Sequence, residues 1–132
     1  MKTLFRNFMF MLLGLLFAAS SSAGEVTIHK VVMEKTGDAW MFSVTIQHDD
    51  KGWKHYADGW RVLDAKGKVI KMRTLFHPHD KNPFTRSLGG VVIPAGAKSV
   101  SVEAHDKVHG WSKNKVVIDL SKNKGDKYTI RR

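Results

Sequence analysis

The chain has 132 residues, with 22 Lys and Arg against 12 Asp and Glu, 7 His, no Cys and a formal charge of +10. That length suits one ordinary domain, and the lack of Cys excludes a disulfide framework, a thiolate metal site, an iron–sulfur cluster and a Cys nucleophile. A hydrophobic fraction of 42% excludes a disordered chain despite the charge.

Residues 1–23 read as a cleaved secretory signal peptide. Lys2 and Arg6 make a positive start, Phe8 to Ala19 is almost wholly apolar, and Ser21 and Ala23 form a small-x-small cleavage site. The apolar run falls well short of the roughly 20 residues a membrane-spanning helix needs, so no transmembrane segment is expected after cleavage. The product would begin near Gly24 and lie in the periplasm or outside the cell. No G-x-G-x-x-G or Walker-type loop occurs, so no organic cofactor is expected.

The remainder shows apolar alternation with period two, broken by frequent turns, which predicts an all-β fold. Strands are expected over 26–34, 39–47, 59–63, 68–76, 86–93, 98–104 and 115–120. The Gly89-Gly90 pair interrupts the fifth, as a bulge would. This is a seven-stranded antiparallel sandwich of the immunoglobulin or fibronectin-III-like kind over residues 24–120. A cupredoxin-like or other Greek-key sandwich is the nearest alternative. Residues 121–132 read as a basic C-terminal tail with room for one short edge strand.

Strand direction then locates the polar loops. If strands joined by short turns alternate in direction, the loops over 48–58, 77–85 and 105–114 emerge at the same end. They carry His48, His55, His77, His79, His105 and His109, leaving His29 alone on the first strand. Imidazoles and carboxylates without thiolate suit Cu(II), Zn(II) or Ni(II), with Cu(II) favoured by the affinity order. Pro78 biases His77 toward extended backbone, and residues i and i+2 of an extended segment project to one side, so His77 and His79 could share an ion. Asp49, Asp80 and Asp106 are candidate supporting carboxylates that would ligate or orient a ring. Arg86 is expected to pair with Asp58 or Asp106 and brace the loops. Convergence requires at least three of these imidazoles to come within ~4–5 Å of one another.

The other conspicuous side chains have structural readings. Trp40, Phe42 and Trp60 are expected in the core, with Met33, Met41 and Met72 packing there too. Trp53, Tyr56, Phe84 and Trp111 would cap the core beneath the loops, or else form a ligand platform. The dispersed Lys and Arg read as a solvated surface or as attraction to anionic envelope polymer. Without a recognition motif, nucleic acid is not an expected partner. Catalysis is not expected either, since neither G-x-S-x-G nor H-E-x-x-H is present.

The strings GWKHYADGWRV (52–62), HPHDKNPFTRSL (77–88) and AHDKVHGW (104–111) resemble a group of small uncharacterised exported bacterial β-domain proteins. The resemblance covers most of residues 38–120 and implies a shared small β domain, with no activity attached. The expectation is therefore an exported metal-binding sandwich for carriage, sequestration or resistance, with a metal-handling protein as a candidate partner. The alternative is an envelope binding or adhesion module that uses basic and aromatic surface.

Overall fold

The structure, a computed structural model, describes residues 24–132; the expected leader over 1–23 lies outside the described residues. Among those described, nine strands and no helix occur: β1 (Thr27–Thr36), β2 (Ala39–Gln47), β3 (Ala57–Asp64), β4 (Val69–Thr74), β5 (Phe84–Val91), β6 (Ser99–Asp106), β7 (Gly110–Trp111), β8 (Val116–Asp119) and β9 (Tyr128–Arg131). One sheet has the order β5-β2-β1-β9. The other runs β4-β3-β6, with β7 and β8 both pairing along the free edge of β6. All pairings are antiparallel except β1 with β9.

Alternation makes the two sheets face each other. Trp40, Phe42, Val44 and Ile46 of β2 point inward, as do Trp60 and Val62 of β3 and Val100, Val102 and Ala104 of β6. They join one apolar cluster extending from Val26 to Ile130, so residues 24–132 contain their own core. Truncating a large member such as Phe42 to Ala would cost about 3–5 kcal/mol.

The all-β, sandwich-like class agrees with the sequence, while nine strands replace the expected seven. β7 is two residues long and falls inside the expected 105–114 loop, too short to register as a period. β9 is the short edge strand for which 121–132 had room; Tyr128 and Ile130 bury themselves beside β1. The bulge expected at Gly89-Gly90 is present, because Trp40 and Phe42 of β2 oppose Val91 and Leu88 of β5 across one extra residue. Gly90 there has φ +65°, a conformation suited to glycine.

The methionine reading needs correction. Met33 is fully buried, but Met41 is 38% and Met72 44% exposed. Met41 lies between inward-facing Trp40 and Phe42 and so points outward, and β4 is an edge strand with no fully buried residue.

Candidate metal centre

Two strands deliver polar side chains to the end of the core by continuing their own alternation. The inward row of β2 reaches its next position at His48, and that of β6 at Asp106. Both are buried, at 2% and 1% exposure. A polar residue in an inward register position must find polar partners, and these two find each other's neighbourhood. His55 arrives from a tight turn after β2, in which the Lys51 amide donates to the His55 carbonyl at 2.7 Å. Gly52 supplies the required positive φ of +76°.

Ligand atoms of His48, His55 and Asp106 all lie within 4.8 Å of one another. His55 Nε2 is 3.2 Å from Asp106 Oδ1, and His48 Nε2 is 3.9 Å from Asp106 Oδ2. His55 Nε2 is buried and has no aligned hydrogen-bond partner. The carboxylate is near but off the donor axis, which is the relation of two ligands facing one point rather than each other. His109 adds a third ring, its centroid 5.1 Å from that of His55. The tight group thus comprises two imidazoles and a carboxylate, not the three or more imidazoles expected from the sequence.

Asp106 is held from both sides. Its Oδ1 accepts from the amides of Val108 (2.9 Å) and His109 (2.8 Å), and His109 Nδ1 lies 3.1 and 3.2 Å from its two oxygens. Burial alone would raise its pKa, but the His109 and Val108 amides and the His109 ring together hold it below the ordinary 3.8. The carboxylate therefore stays ionised, and Nε2 of His109 is left free of it. His48 Nδ1 bonds Asp50 Oδ1 at 2.5 Å, while its Nε2 donates to the Gly24 carbonyl at 2.8 Å. The carboxylate on one ring nitrogen fixes the ring; the other nitrogen is engaged by the Gly24 carbonyl and must give up its proton before it can hold a cation.

Asp50 also connects this group to the second histidine pair. It accepts from the Ala57 amide at 3.0 Å and from the His79 amide at 2.6 Å. The His77 and His79 rings are 4.6 Å apart, as the His-Pro-His spacing suggested. Their surroundings differ. His79 stacks on Phe84 at 3.8 Å, and neither of its ring nitrogens has a hydrogen-bond partner. Arg73 and Arg86 line the same small cavity of about 60 Å³. Burial, then Arg86 and His77, hold the His79 pKa below the ordinary 6.5.

His105 stands apart. Its Nδ1 bonds Asp58 Oδ1 at 2.5 Å, and its ring meets Trp111 edge-on at 4.8 Å. Arg61 covers the Trp111 ring at 3.6 Å while bonding Glu103. Of the caps expected under the loops, Tyr56 and Phe84 are buried, whereas Trp53 is 66% exposed.

Of the supporting residues named from sequence, Asp106 lies inside the group. Asp49 is exposed and paired with Lys51 at 2.8 Å, and Asp80 is exposed. Arg86 pairs with neither Asp58 nor Asp106; it donates to the Thr85 carbonyl at 2.8 Å and lies 5.3 Å from the Phe84 ring. Its place on β5, opposite Val44, sets it apart from both carboxylates. Sequence reasoning did not single out Asp50, Asp58 as the partner of His105, or Gly24. Period-two extrapolation past Ile46 and Ala104 would have marked His48 and Asp106 as the inward pair. No local pattern marks Gly24 as a neighbour of these rings.

A protein of Halomicrobium mukohataei named "Putative lipoprotein" is similar to this chain, with 38% identity over 96 residues. The alignment takes in 72% of this chain but only 47% of that protein, so the chain spans about half its relative's length. No family model matches the chain, and no solved structure does.

Proposed function

We propose that this is an exported protein that binds a transition-metal cation through His48, His55 and Asp106, with His109 alongside. Cu(II) is favoured over Zn(II) and Ni(II) by the affinity order for nitrogen and oxygen donors. The role is carriage, sequestration or resistance, without catalysis. The observation that carries the reading is the buried, unpartnered Nε2 of His55 beside an ionised carboxylate, with His48 in reach of both. Metal-free, that nitrogen has the carboxylate 3.2 Å away but no aligned hydrogen bond; a cation would satisfy it and the carboxylate together. Export rests on the leader expected over 1–23 and agrees with the word lipoprotein in the relative's name.

Calorimetric titration of residues 24–132 with Cu(II), Zn(II) and Ni(II) tests the reading. One stoichiometric site is expected, weakening as pH falls below the ordinary histidine range because the ligands must be deprotonated. Absence of a saturable site for all three ions would refute it.

A further inference from the structure

Gly24 lies among the three imidazoles of the candidate centre. Its carbonyl oxygen is 2.8 Å from His48 Nε2. A Cβ built on its backbone would come within 2.7 Å of His109 Cε1, 3.4 Å of His109 Nε2 and 3.5 Å of His55 Cε1. With φ at +102°, the position excludes a side chain on conformational as well as steric grounds. His109 has its Nδ1 on Asp106, so the nitrogen near Gly24 is the one available to a cation.

Gly24 is also the residue that follows the expected cleavage site at Ala23. We propose that the α-amino group released at Gly24 by leader removal is a ligand of this centre, so that the metal site is completed only in the processed chain. Hydrolysis of the Ala23–Gly24 peptide bond by a signal peptidase consumes one water, leaving a carboxylate on Ala23 and an amine on Gly24. The amine binds a cation after losing its own proton to solvent.

Two features of the geometry favour this assignment. First, an α-amine and the carbonyl oxygen of the same residue close a five-membered ring around one metal ion. The carbonyl oxygen is already seated at His48, and its 2.8 Å separation from Nε2 equals that of two adjacent ligands each ~2.0 Å from an ion and ~90° apart. Metal entry takes the place of the proton that Nε2 donates to that oxygen, and that proton is released to solvent. Second, an uncleaved chain offers an amide nitrogen at this position. An amide is a far poorer donor than an amine, and the leader continues from it.

The inference rests on the metal reading above, and its test separates the two. Three chains are compared: residues 24–132 with a free amine, the same chain Nα-acetylated, and residues 22–132, which retain Ser22 and Ala23. Each is titrated with Cu(II) against a competing chelator, with circular dichroism confirming the β fold. The free Gly24 chain is expected to bind at least tenfold more tightly than either blocked form. [15N]glycine labelling is expected to change the nitrogen hyperfine pattern of its Cu(II) spectrum and to leave the other two unchanged. Equal stoichiometric binding by all three, with no effect of the label, overturns the amine ligand and leaves the metal site standing. Failure of every chain to bind stoichiometrically overturns both.

Discussion

His55 and His79 are both loop imidazoles with buried ring nitrogen that makes no aligned hydrogen bond, yet their environments differ. His55 faces Asp106, whose negative charge is preserved by two backbone amides and the His109 ring. His79 stacks on Phe84 and shares its cavity with two arginines, with Asp50 Oδ2 3.9 Å from its Nδ1. A cation gains attraction in the first setting, whereas in the second the arginines oppose the attraction of Asp50. On the proposed reading, the His55 group is the better candidate, although His-Pro-His is the more conspicuous motif in the sequence. The charge placed next to each ring decides which of them suits a metal ion.

Metal affinity gives the sharpest test of this contrast. Replacing His55 by Ala together with Asp106 by Asn should weaken Cu(II) binding by roughly 100-fold or more, given that even supporting residues are worth 10–100-fold. The double replacement of His77 and His79 by Ala should leave it within a few-fold. Calorimetric titration reads both, and a reversed order would transfer the centre to the second pair.

Asp50 joins the groups, so removing it should disturb both. Asp50→Ala leaves the Ala57 and His79 amides and His48 Nδ1 without their acceptor. An expected loss of about 3 kcal/mol follows from the cost of burying unsatisfied donors, measurable by urea unfolding of the metal-free protein. Little change in the midpoint would mean that the two loops are held independently.

A smaller effect concerns pH. The folded state holds His79 below its ordinary 6.5, so between that value and the lower folded pKa the unfolded chain binds more protons. Stability should fall as pH drops from about 6.5, the ordinary value for an unfolded histidine. His79→Leu, which keeps an apolar contact with Phe84, should make that decline shallower. Unfolding midpoints at pH 7 and pH 5 for the two proteins test this; parallel curves would remove His79 as a contributor. The least consequential change should be Trp53→Ala. With its ring mostly in solvent, stability should shift by less than about 0.5 kcal/mol and Cu(II) affinity should hold. A large loss of affinity would make the ring part of the centre.

Much of this was legible in the chain. The alternation over Trp40, Phe42, Val44 and Ile46 fixes the face of β2, and its continuation to His48 fixes where that side chain goes. Strand parity suggested that loops far apart in sequence meet at one end, and Asp50 does bridge the loop after β2 to His79. What parity cannot supply is the direction of each ring. Side-chain-to-backbone bonds set those directions, such as Asp106 gripping the Val108 and His109 amides, and they depend on loop conformations without periodicity. The place of Gly24 was illegible for a different reason. The cleavage motif marks it as the first residue of the processed chain, but its place beside the imidazoles comes from the path of the chain before β1, which has no pattern.

Trp111 offers a practical consequence. It sits between Arg61 and His105, on the short strand that follows His109 and Gly110. Its neighbour Gly110 pairs with Asp106, so the indole is an intrinsic optical reporter for the proposed site: a paramagnetic ion bound there is expected to quench its emission. Loading and release could then be followed in real time on unlabelled protein.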